Sequence, residues 1–222
     1  MNYIEHVKRS ISQATAEKSK LDGDVLKIPG MSSKKSRHLL NNLCNFPEAV
    51  YLEIGSWKGS TIISAAFRNP GKFYAMDHFK KNFKVENPKT EFYRNKVSFK
   101  SDADFKFFEC DSWKFDLSKI SEKVNVYFYD GDHSPEGTEK AFTYYDPVFA
   151  DQFIMIMDDW NRRHIREATE KALEKYDVLF SEFLRTPRGR NDDHGESGFG
   201  SMDGRTQETW WNGLYVTVLE KK

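Results

Sequence analysis

Cysteine is scarce: the chain of 222 residues has two, Cys44 and Cys110. Their separation matches no metal-ligand spacing, which excludes a disulfide framework and a cysteine-based zinc module. Two isolated thiols suit a reducing compartment, so both are expected to be free in a cytoplasmic protein. Net charge is also missing, since 34 Lys and Arg balance 34 Asp and Glu. A protein held to nucleic acid by phosphate contacts normally carries a positive excess, so general nucleic-acid binding is not expected. No apolar run reaches the roughly 18 residues of a membrane span. The opening MNYIEHVKRSISQ lacks the apolar stretch of a secretory signal. Internal repeats and low-complexity tracts are absent too. Aromatic residues are abundant, with 18 Phe, 10 Tyr and 5 Trp. They offer enough apolar surface for one domain to hold a core without staples.

The chain divides into an N-terminal helical extension, residues 1–47, and a strand-helix alternating domain, residues 48–222. In the extension Ile4, Val7, Ile11 and Ala14 recur at helical spacing. After the Pro29-Gly30 break, Ser32 or Ser33 can cap a second helix carrying Leu39, Leu40 and Leu43. A packing appendage is preferred here to a substrate lid. Lys34, Lys35 and Arg37 read as solvated helix charges. Short apolar runs predict strands at Val50–Ile54, Lys72–Met76, Phe105–Glu109, Val124–Tyr129 and Phe153–Met157. Helices are predicted at Thr61–Arg68, after Asn87-Pro88, after Ser134-Pro135-Glu136 and at His164–Tyr176. This alternation predicts an α/β fold with a doubly wound, Rossmann-like, mostly parallel sheet in three layers. Val178–Leu184 and Leu214–Leu219 read as strands joined without a helix, an antiparallel pair at the sheet edge. The intervening loop, residues 186–212, is long enough to suggest a functional segment.

The acids stand out by position. Glu53 ends the first strand and leads into Gly55, Ser56 and Gly59. Asp77 ends the second, Asp111 follows the third, Asp130 ends the fourth with Asp132 behind it, and Asp158-Asp159 ends the fifth. In a parallel sheet those ends share one edge, where open α/β sheets bind ligands. Clustered carboxylates repel unless a cation, amino groups or hydroxyl donors bind among them. The competing explanation is helix capping by individual acids. The first turn lacks GxGxxG, so a dinucleotide fingerprint is not met. A cationic cofactor with a ribose and an amino-acid tail suits the edge better, with Asp77 accepting from ribose hydroxyls.

YLEIGSWKGST, FYAMDHF, FFECDSW, VYFYDGDHSPEG and IMIMDDW, spanning roughly residues 50–160, resemble class I S-adenosylmethionine-dependent methyltransferases. The likeness is to the small O-methyltransferase branch that includes the macrocin-type and catechol-type enzymes. That resemblance implies a seven-stranded sheet whose last strand is antiparallel. It implies that Glu53, Gly55, Ser56 and Gly59 wrap the methionine end of the cofactor. Asp77 would hold the ribose hydroxyls, with His78, Lys80 and Lys81 bordering. Asp111 and Ser112 would sit by the adenine, and Asp130 beside the methyl group. In metal-dependent members that acid and a later acidic pair bind Mg²⁺, here Asp130, Asp158 and Asp159. Carboxylate oxygens suit such a hard cation.

Methyl transfer to a hydroxyl requires removal of its proton, by a base or with a metal's help. His133 is the candidate base beside Asp130, against a bland alternative as a turn residue. Asp132 is expected only to brace the turn. In the long loop Arg185, Arg188 and Arg190 can clamp an anion and Trp210 and Trp211 can stack on an acceptor. A solvated loop with an aromatic anchor is the alternative. The expected function is O-methylation of a small-molecule or sugar hydroxyl. Its rivals are a catalytically silent binding or scaffolding protein and a nucleotide- or NAD-type enzyme. Nothing in the sequence fixes the oligomeric state, a homo-oligomer included.

Overall fold

The computed structural model describes residues 1–80, 87–186 and 208–222. Lys81, Arg188 and Arg190 lie outside them. Seven strands form one sheet: β1 (Val50–Ile54), β2 (Lys72–Asp77), β3 (Lys106–Glu109), β4 (Val124–Tyr129), β5 (Phe149–Met157), β6 (Tyr176–Leu184) and β7 (Leu214–Lys221). Their order is β3-β2-β1-β4-β5-β7-β6. The first five pair in parallel, and β7 runs antiparallel to both β5 and β6. The antiparallel pair closes one side of the sheet as expected, with β6 outermost. The order reverses between β1 and β4, which is where a doubly wound sheet opens a crevice at its carboxyl ends.

Every residue of β1 and β4 is buried, as the apolar runs require for strands covered on both faces. On one face Tyr51, Phe73, Val126, Phe128 and Val218 pack with the helical side chains Val7, Leu39, Leu40, Ile62 and Ile63. On the other, Leu52, Tyr127 and Tyr129 pack with Phe142, Tyr145 and Ile165. The helices are α1 (Tyr3–Thr15), α2 (Gly23–Leu26), α3 (Lys34–Leu43), α4 (Ser60–Ala66), α5 (Pro88–Ser98), α6 (Pro135–Tyr145) and α7 (Arg163–Leu173). The caps follow side-chain chemistry. Ser33, rather than Ser32, accepts from the Ser36 amide at the start of α3. Asn87 accepts from Thr90 and Ser134 from Gly137. No helix among the described residues is long and apolar enough to cross a membrane.

Several boundaries shift. Tyr176, expected in the last helix, begins β6, because its ring is buried against Phe142 and Phe153 and its backbone pairs with Lys221. β5 starts at Phe149, four residues early, through a register shift against β4 that the polar Asp151-Gln152 step concealed. Arg37 is not solvated. It is 4% exposed, enclosed by the 26–32 loop that folds back on α3. α3 also ties to α4, since Asn41 Nδ2 donates to the carbonyls of Ser64 at 2.8 Å and Phe67 at 2.9 Å. The N-terminal helices therefore share one core with the sheet.

Candidate active site

The carboxyl end of β1 delivers Glu53 into the interior. Its Oε2 accepts from the Tyr51 hydroxyl at 2.7 Å and its Oε1 from Thr61 Oγ1 at 2.9 Å. No cation pairs with it among the described residues, and burial pushes its carboxyl up to about 7 against the pull of those hydroxyls. The chain then turns on Gly55 at φ +92° and Gly59 at φ +84°. A Cβ at Gly55 would lie 1.9 Å from the Asp130 carbonyl oxygen. Only glycine lets the β1 turn pass this close to β4. Asp77 fastens the same turn to β2: its carboxylate accepts from the Trp57 amide at 2.8 Å and the Phe79 amide at 2.7 Å. His78 Nδ1 accepts from the Lys80 amide within its own turn. At the end of β3, Asp111 accepts from the Trp113 amide and starts the short turn that holds Ser112. The Ser112 carbonyl accepts from the Tyr145 hydroxyl at 2.7 Å.

The ends of β4 and β5 bring three predicted groups together. Asp130, His133 and Asp158 each offer a ligand-type atom, all within 4.8 Å of one another. His133 Nε2 stands 3.2 Å from Asp130 Oδ1 and 3.8 Å from Asp159 Oδ2. Burial, then repulsion from Asp159, drives the Asp130 carboxyl well above the carboxylate range. Burial and Asp130 do the same to Asp158. Two such carboxyls do not both ionise without a cation between them. Asp159 departs from the expected metal set. Its Oδ2 is 3.0 Å from the Arg162 guanidinium, and its Oδ1 accepts from Asn212 Nδ2 at 2.6 Å. Both oxygens are engaged, one within the turn after β5 and the other tying that turn to the foot of β7. Asp132 braces its turn as expected, accepting from the Ser134 amide and hydroxyl.

The two ends of the long loop meet at Thr186, whose hydroxyl oxygen accepts from the Trp210 amide and from Thr209 Oγ1, both at 3.0 Å. Trp210 and Trp211 are buried, and Trp210 joins the apolar core. They have the arrangement of an aromatic anchor. Arg185 lies over the Phe183 ring. Arg162 and Asn212 were not singled out from the sequence, where neither carries a motif. Tyr51 was not either, although its place two residues before Glu53 puts both on one strand face.

Residues 52–160 match the model of a family described as a methyltransferase domain. No curated protein sequence matches the chain. Among solved structures, the fold is similar to that of TrmK from M. capricolum in complex with S-adenosyl-homocysteine. The TM-score is 0.53 at 12% identity, over 84% of this chain and 67% of that one. It is also similar to precorrin-6y C5,15-methyltransferase from Geobacter metallireducens GS-15, with TM-score 0.53 and 12% identity over 91% and 98% of the two chains. An rRNA methylase from Streptococcus thermophilus gives TM-score 0.51 and 13% identity over 84% and 93%. At such identity the likeness is one of fold. The matched segment is a methyltransferase domain, and the likenesses place it on the fold of S-adenosylmethionine-dependent methyltransferases. The Rossmann-like sheet carries the matched segment from β1 to just past β5.

Proposed function

We propose that the protein methylates a hydroxyl group of a small-molecule or sugar acceptor, assisted by a divalent cation. The observation that carries this reading is the meeting of His133, Asp130 and Asp158 at the strand ends beside the β1 turn. A neutral amine already presents a lone pair, whereas a hydroxyl must give up a proton. An imidazole held 3.2 Å from a carboxyl is equipped to take one. The balanced net charge disfavours an acceptor on a phosphate backbone.

In this reading Glu53, Gly55, Ser56 and Gly59 hold the methionine end of the cofactor. Asp77 orients the ribose with His78 alongside, and Asp111 and Ser112 border the adenine. The cofactor, when bound, supplies an electrophilic methyl on a sulfonium. The protein supplies position and charge. Asp130 faces the transferred methyl, and His133 takes the acceptor's proton at Nε2. Asp130 and Asp158 would offer carboxylate oxygens to a divalent ion such as Mg²⁺, leaving His133 Nε2 to the proton. Asp159 would join them only by releasing Arg162 and Asn212.

Calorimetry with S-adenosylhomocysteine and NAD⁺, followed by methyl transfer to a panel of hydroxyl compounds with and without EDTA, tests the proposal. Asp130→Ala should keep S-adenosylhomocysteine binding within a few-fold while turnover drops by about 10²-fold or more, as for loss of a group positioned at the reacting atoms. Binding of NAD⁺ alone, or full turnover in Asp130→Ala, would sink it.

A further inference from the structure

Arg37 is a buried cation. No carboxylate among the described residues pairs with it, and burial alone lowers its pKa to about 10. Nε donates to Ser32 Oγ at 2.9 Å, and Nη1 donates to the carbonyls of Ile28 at 2.8 Å and Leu26 at 3.2 Å. Nη2 reaches the Ser32 carbonyl only at 3.4 Å. Neutral oxygens satisfy these donors but leave the charge uncompensated, a costly state in the interior. Of the five guanidinium N–H groups, one on Nη2 is left over.

Nη2 itself lies near the residues that open α4. Gly30 stands between them: a Cβ there would fall 3.0 Å from Arg37 Nη2 and 2.0 Å from Ser60 Oγ. Ser32 Oγ and Ser60 Oγ are 3.2 Å apart. Ser60 follows Gly59, and its neighbour Thr61 donates to Glu53. A cationic pole and an anionic pole thus address adjacent residues at the start of α4. An α-amino acid carries a carboxylate and an ammonium on a single carbon, one group for each pole.

We propose that Arg37, together with Ser32 and Ser60, receives the carboxylate of the cofactor's amino-acid tail, while Glu53 receives its ammonium. This rests on the reading of the β1 turn as the methionine end of the cofactor site. It makes the N-terminal extension a part of the cofactor site rather than a packing appendage. The arriving carboxylate supplies the missing counter-charge through charge-assisted hydrogen bonds.

Two probes separate the carboxylate from the rest of the ligand: S-adenosylhomocysteine, and its decarboxylated analogue, which keeps the amino group. Wild-type protein should prefer the first by about ten- to a hundred-fold, the range for hydrogen bonds to a charged group. In Arg37→Gln the preference should vanish while the decarboxylated analogue binds as in wild type. Ser32→Ala should narrow the preference several-fold. Should Arg37→Gln fail to fold, Arg37→Lys is read in its place. It keeps the charge without the fork, and its preference should be reduced. An unchanged preference in these variants overturns the inference. So does an equal loss for both probes, the mark of a residue that only shapes the turn. If wild-type protein binds neither probe, the cofactor reading itself falls, and the inference with it.

Discussion

Glu53 holds a proton that an ordinary glutamate would have lost. Its folded pKa of about 7 lies above the usual carboxylate value. Between pH 4.5 and 7, roughly, the native state therefore binds more protons than the unfolded chain, and stability from this group falls as pH rises through that window. The full effect of such a shift is about 3 kcal/mol at most. The melting temperature of the free protein should accordingly decline from pH 5 to pH 8, and Glu53→Gln should lose that part of the decline. Ligand binding should run the other way, because an ammonium needs the ionised form. S-adenosylhomocysteine should bind wild-type protein more tightly at pH 8 than at pH 6, with a weaker trend in Glu53→Gln. Calorimetry at the two pH values measures this, and identical trends in both proteins would remove Glu53 from the cofactor site. The position of Glu53 was readable because an acid at the end of an apolar strand is conspicuous. The partners that set its chemistry, Tyr51 and Thr61, are ordinary core and helix residues by sequence.

At the scale of elements, the five parallel strands were legible because burial on both faces compresses each into a short apolar run. Errors collect where tertiary contacts decide. Tyr176 would continue α7 by pattern, yet its hydroxyl donates to Asp146 at 2.6 Å and its backbone joins β6. Arg37 looked solvated because charges on an amphipathic helix usually face water, and the loop that encloses it has no periodic signal. The engagement of Asp159 was hidden for the same reason: Arg162 and Asn212, which occupy it, come from a turn and from the foot of a distant strand. The α3–α4 contact shows what such unpatterned residues hold together. Asn41 serves the carbonyls at the end of α4, and both would be left buried without a donor in Asn41→Ala. That change should cost about 2–4 kcal/mol, one to three per orphaned group less partial relaxation. Urea unfolding should show a lower midpoint with an unchanged slope, and a midpoint equal to that of wild-type protein would mean that water replaces the amide.

At the scale of the whole molecule, the boundary at residue 47 separates sequence patterns, not cores. Val7, Ala14, Leu39, Leu40 and Leu43 are each fully buried and pack in one cluster with Tyr51, Phe73 and Phe128 of the sheet. Each large aliphatic side chain among them contributes roughly 1.5–3 kcal/mol by leaving water. Their sum rivals the entire stability of a typical domain, about 5–15 kcal/mol. Removal of residues 1–47 also strips one face of β1 and the outer side of α4, the elements that carry Glu53 and the glycine turn. The shortened chain, residues 48–222, should therefore be insoluble or lack a cooperative thermal transition, whereas the full chain should melt in one step. S-adenosylhomocysteine should not rescue it, because the proposed carboxylate anchor at Arg37 is gone with the helices. A truncated protein that melts cooperatively and binds the ligand as the full chain does would show instead that the extension is detachable, and that the cofactor cradle is complete from β1 onward.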